Sequence, residues 1–196
     1  VVSLPADVAT PAVIAALVAA YSQHEKTLDI LDNNAGAAWG ASCDEFPESG
    51  WDKVVDLNLK TPFFLTQALA PMLTAAATDH LAKVINVASI DGVSVNPQET
   101  YSYAASKSGL IHLTKRMALR LAQDRIAVSA IAPGAFASDM NKDARDHGDE
   151  VKARIPAGRI GTPEDMAGAA IYLASRAGDY VVGSTLVVDG GVTYAR

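Results

Sequence analysis

Residues 83–92, KVINVASIDG, indicate the fold class of this 196-residue chain. Residues 83–88 form a short, mostly apolar run with several β-branched side chains, which is typical of a strand buried in a sheet. Ser89 follows this run directly, so its hydroxyl is expected at the carboxyl edge of the sheet. In open α/β sheets this edge is where ligands bind.

Strand-like runs alternate with helix-like stretches along the rest of the chain. Further strands are predicted over residues 1–4, 28–31, 126–132 and 184–188, and helices over residues 11–23, 48–73, 101–122 and 163–175. Thr10 and Thr162 are the expected N-caps of the first and last helices, and Pro62 predicts a kink or break in the second. This alternation predicts an α/β fold with a parallel sheet covered by helices on both faces.

The composition argues against several classes of function. The net charge is −6 and the basic residues are scattered, so we expect neither a nucleic-acid partner nor binding to an anionic membrane. Cys43 is the one cysteine, which excludes an internal disulfide and favours a reducing, cytoplasmic setting. The four histidines lack ligand spacing, so no metal site is expected. The length predicts a single domain over residues 1–196.

The stretch YSYAASK, residues 101–107, holds two candidate proton donors. Tyr103 and Lys107 are four residues apart and therefore share one face of the predicted helix, whereas Tyr101 points elsewhere. A nearby ammonium is expected to lower the pKa of the Tyr103 phenol and make it an acid–base group. Taken alone, Tyr103 and Lys107 could also be neighbours on a helix that have no catalytic role. Ser89, at the end of a strand, could converge with Tyr103 on one substrate oxygen.

These residues resemble the catalytic set of the classical short-chain dehydrogenase/reductase family, and further motifs match in the same order. They are Asp7, NNAG at residues 33–36, Asn58 in VVDLNL, Ser89, Tyr103 with Lys107, APGAFAS at residues 132–138, RIPAGRIGTPEDMAGAAIYLAS and VVDGG. The segments GAAWGASCDEFPESGWDKV and YSYAASKSGLIHLTK are more closely similar to bacterial 3-oxoacyl-[acyl-carrier-protein] reductases of the rhamnolipid-biosynthesis type. Two features depart from the commonest family pattern: Ser89 and Tyr103 are fourteen residues apart, and Ser138 replaces a threonine.

The resemblance implies a Rossmann-like doubly wound sheet and hydride transfer between NADP or NAD and a carbonyl, with a 3-oxoacyl thioester of fatty acid biosynthesis as the expected substrate. It assigns catalytic roles to Asn58, Ser89, Tyr103 and Lys107. It further assigns cofactor contacts to Asp7, Val8, Asn34, Ala35, Gly36, Tyr103, Lys107, Pro133, Gly134 and Ser138. A homodimer or homotetramer is expected through the two long helices.

Several alternatives stay open on the sequence. No glycine-rich turn precedes Asp7, and the chain has no initiator methionine, so its first two strands are expected to be missing. The substrate could instead be a polyol, a sugar acid or a steroid, and a non-catalytic subunit is also possible. The polar residues 138–154 fit either a solvated loop or a mobile lid over the substrate.

Overall fold

The computed structural model describes residues 1–138 and 141–195, without the side chains of residues 142 and 143. Four parallel strands form one sheet in the order β1-β2-β3-β4. Their bounds are β1 Ile30–Asn33, β2 Ala82–Val87, β3 Ile126–Pro133 and β4 Thr185–Val188. In register, Asn33 pairs with Asn86, and Pro133 pairs with Val188. All four strands therefore end at the same edge, where the candidate site lies.

Helices cover the sheet on both faces. They are α1 Pro11–His24, α2 Glu48–Val55, α3 Thr61–Ala76, α4 Tyr101–Leu121, α5 Lys142–Asp146, α6 Gly148–Lys152 and α7 Pro163–Ala174. Leu31, Val84 and Val128 pack with α1, α3 and α4 in the larger core, and Ile85 and Ile131 pack with α7 on the opposite face. This arrangement confirms the predicted α/β fold.

The helix ends follow the predicted capping. The Thr10 side chain accepts a hydrogen bond from the Val13 amide at 3.4 Å, at the start of α1. At the start of α7, the Thr162 amide donates to the Asp165 carboxylate at 2.8 Å, as in a capping box. Both helices therefore begin where the sequence predicted.

Three predicted elements differ in the structure. Residues 1–4 form no strand, because they make no ladder hydrogen bonds to a neighbouring strand, and Val1 and Val2 are exposed. The predicted helix over residues 48–73 is divided into α2 and α3 by a wide π-helical turn, Asp56–Lys60. The polar residues 138–154 include the two short helices α5 and α6, and residues 139 and 140 lie outside the described part of the chain.

Pro62 accounts for the position of the interruption. It lies in the first turn of α3 and has no amide hydrogen for the carbonyl four residues earlier, that of Asn58. The backbone widens instead, and the amide of Thr61 donates to the carbonyl of Asp56, five residues back. Wide turns of this kind are common at functional sites.

Among the described residues, no helix is both long enough and apolar enough to cross a membrane.

Candidate active site

Ser89 lies at the carboxyl edge of the sheet, two residues beyond β2. It is 7% exposed, and it caps a short 3-10 turn, Ile90–Gly92, by accepting a hydrogen bond from the Asp91 amide at 3.1 Å. The capping bond uses one lone pair of the hydroxyl, which leaves its hydrogen and a second lone pair for a ligand. The structure therefore places Ser89 as the sequence predicted.

Close packing of the Ser89 turn against α4 fixes its distance from the helix. A Cβ atom on Gly92 would lie 2.6 Å from the carbonyl carbon of Lys107, so only glycine fits there. The Ser108 hydroxyl also donates to the Gly92 carbonyl at 2.9 Å. The turn that carries Ser89 is thus seated on the backbone of the helix that carries Tyr103.

Tyr103 and Lys107 share one face of α4, as their spacing predicted. The Lys107 ammonium lies 5.6 Å from the centroid of the Tyr103 ring. The Ser89 hydroxyl is close enough to the Tyr103 phenol to lower the pKa of that group. The three side chains therefore converge at the end of β2.

Tyr101 takes no part in this cluster. Its ring is exposed and packs edge-on against Phe46, with 5.7 Å between the ring centroids. Its hydroxyl donates to the Glu99 carboxylate at 3.2 Å. Tyr101 is therefore a surface aromatic, which leaves Tyr103 as the tyrosine of the site.

The expected lowering of the Tyr103 pKa by Lys107 is wrong for this structure. Burial is the largest effect and raises the pKa of the phenol, the Ser89 hydroxyl lowers it, and the negative charge of Asp91 has the smallest effect and raises it. The reason is geometric, because the Lys107 ammonium lies against the ring and donates to the Val87 carbonyl at 2.7 Å.

Lys107 is itself strongly affected by its surroundings. Its side chain is only 4% exposed, and burial lowers its pKa from 10.5 to about 8. A lysine with this pKa can gain and lose a proton close to neutral pH, which an exposed lysine does not do. Lys107, rather than Tyr103, is thus the group whose pKa is moved toward the physiological range.

Asn58 occupies the π-helical turn and is completely buried. Its side-chain oxygen accepts from the Ala37 amide at 2.8 Å, and its amide donates to the Ala37 carbonyl at 2.9 Å and to the Ser106 hydroxyl at 3.1 Å. The side chain therefore ties the loop after β1 to α4, next to the residues of the site.

Gly36, in the NNAG turn, lies directly between Asn58 and Lys107. A Cβ atom there would be 3.3 Å from the Asn58 side-chain oxygen and 3.7 Å from the Lys107 nitrogen. The turn, the buried asparagine and the lysine thus meet within a few ångströms.

The predicted cofactor contacts fall into groups along the carboxyl edge. Val8, Asn34 and Ala35 line a small cavity of about 50 Å³ at the end of β1. The Val8 carbonyl accepts from the Thr61 hydroxyl at 2.8 Å, which holds residues 7–8 against α3. Asp7 is exposed next to this cavity, and its carboxylate accepts from the Ala9 amide at 3.4 Å.

The second group lies at the end of β3. Pro133 is the last residue of the strand, and Gly134 follows with its amide donating to the Val188 carbonyl at 2.9 Å. A Cβ atom on Gly134 would lie 2.7 Å from that of Asp189, so close packing also explains this glycine. Ser138 is exposed, and its hydroxyl accepts from the Asn141 amide at 3.0 Å.

A larger cavity of about 340 Å³ lies beside the ends of β3 and β4. Ala135, Phe136, Arg159 and Asp189 are part of its lining, which does not include Ser89, Tyr103 or Lys107. The Asp189 carboxylate accepts hydrogen bonds from the amides of Gly191 and Thr193, at 2.8 and 2.7 Å. The residues after β4 therefore form a braced turn, as expected for a structural role of DGG.

A buried polar ladder was missed by the sequence analysis. The Asn33 amide donates to the Asn86 oxygen at 2.8 Å and to the Thr66 hydroxyl at 3.2 Å, and the Asn86 amide donates to the Thr114 hydroxyl at 2.9 Å. The ladder joins β1 and β2 to α3 and α4 just beneath the site. An asparagine inside the apolar run KVINVA was the available signal.

Metal-ligating side chains form no cluster of three or more in the part of the chain that the structure describes. The polar groups at the carboxyl edge are instead hydroxyl, phenol, ammonium and amide. This set of groups can orient a carbonyl oxygen and transfer a proton to it.

The arrangement is that of an oxidoreductase acting on carbonyl or alcohol groups, and comparison with known proteins agrees. The family model for enoyl-(acyl carrier protein) reductases matches residues 1–193. The chain is 39% identical, over 96% of its length and 75% of the relative's, to a rhamnolipid-biosynthesis 3-oxoacyl-[acyl-carrier-protein] reductase of Pseudomonas aeruginosa. It therefore belongs to the short-chain dehydrogenase/reductase family of oxidoreductases.

Other relatives act on different substrates. A 2-dehydro-3-deoxy-D-gluconate 5-dehydrogenase of Dickeya dadantii is 41% identical over 96% of this chain and 75% of its own length. Among solved structures, the Pseudomonas aeruginosa RhlG/NADP active-site complex has a TM-score of 0.92 and 39% identity, covering 97% of this chain and 76% of that one. The Rossmann-like fold is thus confirmed, whereas the family alone leaves the substrate open.

Proposed function

We propose that this protein is an NAD(P)-dependent reductase of ketones, and that its substrate is a 3-oxoacyl thioester. The observation that carries the proposal is the convergence of Ser89, Tyr103 and Lys107 at the carboxyl edge of the sheet. The relation to a 3-oxoacyl-[acyl-carrier-protein] reductase supports the substrate class.

Ser89 orients the substrate. Its hydroxyl hydrogen is available to the carbonyl oxygen, because its bond with the Asp91 amide is one that the hydroxyl oxygen accepts. Since the Ser89 turn is seated rigidly on α4, the bound oxygen is held at a fixed distance from Tyr103. Such positioning accounts for a large part of the rate in enzymes of this kind.

Tyr103 protonates the carbonyl oxygen as the ketone becomes an alcohol. Burial is the main cause that raises the pKa of its phenol, so Tyr103 is protonated at neutral pH and ready to act as the acid. Lys107, with a pKa of about 8, is the group beside the Tyr103 ring that can supply the replacement proton near neutral pH. Asn58 is separated from Lys107 by Gly36. Because Pro62 has no amide hydrogen to donate to the Asn58 backbone carbonyl, we propose that this carbonyl binds a water, which passes protons to Lys107.

The residues present fit a nicotinamide cofactor along the carboxyl edge. The small cavity of Val8, Asn34 and Ala35 suits the adenosine side, and Gly36 leaves room beside Lys107 for a ribose. Pro133, Gly134 and Ser138 would contact the nicotinamide side. When bound, the cofactor supplies the hydride. We propose NADP over NAD because the structurally similar RhlG was solved with NADP.

Replacing Tyr103 by phenylalanine tests this assignment. Tyr103→Phe should lower kcat for a 3-oxoacyl thioester by roughly 10²-fold or more, the typical contribution of a general acid. Tyr101→Phe is the matched control, because Tyr101 is exposed on the same helix and outside the cluster. Ketone reduction at the wild-type rate by Tyr103→Phe, followed by NAD(P)H absorbance, would exclude Tyr103 as the donor.

A sugar-acid dehydrogenase is the second candidate, because the gluconate-related relative is as similar as the acyl reductase. A panel with a 3-oxoacyl thioester, a keto sugar acid, a polyol and a steroid, scored by kcat/KM, separates these. A non-catalytic subunit would reduce none of them. We further propose that the protein is cytoplasmic and forms a homodimer or homotetramer. Gel filtration with light scattering measures the molar mass of the assembly and so distinguishes these two states.

A further inference from the structure

Asp91 lies two residues after Ser89, in the 3-10 turn that links β2 to α4. Its side chain neither gives up nor takes a proton in the transfer described above, and its charge is the smallest of the three causes that shift the pKa of Tyr103. The carboxylate is nevertheless half-buried, in a place where a hydrated surface acid would be expected to point outward.

Hydrogen bonds on both sides hold the Asp91 carboxylate in place. Its Oδ1 accepts from the Asn96 side-chain amide at 2.6 Å, and Asn96 in turn accepts from the Gln98 amide at 2.7 Å. The Asp91 backbone amide donates to the Ser89 hydroxyl. The next residue, Gly92, is seated on α4. The carboxylate is therefore held in one position beside the Ser89 turn.

The charge of Asp91 reaches the reacting groups. The backbone amide of Asp91 lies 3.1 Å from the Ser89 hydroxyl, so the carboxylate belongs to the residue next to the group that holds the substrate oxygen. Its negative charge also contributes to the raised pKa of the Tyr103 phenol, although burial contributes more. None of the ion pairs between described residues includes Asp91. Lys107, on the other side of the Tyr103 ring, directs its ammonium to the Val87 carbonyl. A substrate oxygen held by Ser89 and Tyr103 thus lies near a carboxylate that has no ion-pair partner among the described residues.

We propose that Asp91 is a specificity-determining residue, which selects neutral ketone substrates and disfavours ketones that carry a carboxylate near the reacting carbonyl. The inference rests on the proposed function, since it concerns the same site. It favours thioesters over sugar acids, because a thioester carbonyl is neutral whereas a sugar acid brings a second anion toward a fixed, partly buried one. Two negative charges close together repel strongly in a partly desolvated cleft.

Two probes with the same carbon chain isolate this effect. Acetoacetate carries a carboxylate beside the ketone, and its ethyl ester is neutral. Their kcat/KM values with saturating NADPH are measured for the wild type and for Asp91→Asn, which keeps the shape and the oxygen that accepts from Asn96. We expect the variant to raise kcat/KM for acetoacetate by about tenfold or more, and to change that for the ester by less than about threefold.

Two further variants control the interpretation. Asp124→Asn removes the same charge from the opposite edge of the sheet, where Asp124 pairs with Arg120, and should leave the ratio of the two probes unchanged. Asp91→Glu keeps the charge and should retain the wild-type preference. Because each ratio is measured on one preparation, partial loss of folded protein cancels from it.

The outcomes separate the two ideas. If the wild type reduces the ester and Asp91→Asn leaves the ratio unchanged, the role of Asp91 is overturned while the proposed function stands. If the wild type reduces acetoacetate as well as the ester, the selection against carboxylates is likewise overturned. If the wild type with NADPH or NADH reduces neither probe and no 3-oxoacyl thioester, both the proposed function and the inference fail.

Discussion

Replacing Lys107 by methionine should make the protein more resistant to unfolding as pH falls, relative to the wild type, while removing its activity. Lys107 is 4% exposed, and burial lowers its pKa from 10.5 to about 8. At about 1.4 kcal/mol for each pKa unit, this difference corresponds to roughly 3 kcal/mol. A methionine of similar length removes the buried charge and also the hydrogen bond to the Val87 carbonyl.

The sign of the pH dependence follows from proton uptake. Between about pH 8 and pH 10.5 the lysine is protonated in the unfolded chain and neutral in the folded one, so the stability of the wild type rises with pH in this window. Below about pH 8 the lysine is charged in both states, and the full cost of burying the charge is present. The methionine variant lacks this dependence.

Urea unfolding at pH 7 and pH 10 measures the effect. The free energy of unfolding of Lys107→Met minus that of the wild type should fall by about 2 to 3 kcal/mol from pH 7 to pH 10. Lys115→Met replaces an exposed lysine on the same helix and should change stability by less than about 0.5 kcal/mol at either pH. If the difference in free energy of unfolding between Lys107→Met and the wild type does not change with pH, burial does not lower the pKa of Lys107, and the reasoning is refuted.

Two further predictions concern the framework of the site. Asn58→Ala should lower the free energy of unfolding in urea by about 2 to 4 kcal/mol, because it removes three hydrogen bonds to Ala37 and Ser106 and leaves the part-buried backbone groups of Ala37 unpaired. A loss below about 1 kcal/mol would mean that water replaces these hydrogen bonds. Gly92→Ala should lower both stability, by about 1 to 3 kcal/mol, and kcat, because the new Cβ collides with the α4 backbone and displaces Ser89. Gly168→Ala, in open space on α7, should instead stabilise by about 0.5 to 1 kcal/mol, and equal effects at the two glycines would contradict the packing argument.

The local elements of the fold were predictable because each carries its own signal. The runs around Val84 and Val128 are apolar enough to require burial on both faces, and Thr10 and Thr162 mark helix starts chemically. The strand predicted at residues 1–4 failed because a strand exists only through pairing, which a short apolar run does not reveal.

The candidate site shows the same division. Helical spacing alone brought Tyr103 and Lys107 to one face, and the end of an apolar run placed Ser89 at the carboxyl edge of the sheet. Spacing says nothing, however, about where an ammonium points. The structure directs it to the Val87 carbonyl, and this is why the phenol is not made more acidic.

The amino-acid sequence by itself determined the alternation of strands and helices, the capping of α1 and α7, and the identity of the serine, tyrosine and lysine. These depend on periodicity and on neighbours within one or two helical turns. Only the tertiary structure decided the lowered pKa of Lys107, the buried ladder of Asn33 and Asn86, and the effect of the Asp91 charge on the pKa of Tyr103. Desolvation and Coulomb energies depend on distances between segments far apart in the chain, and those distances exist only once the sheet and its helices have packed together.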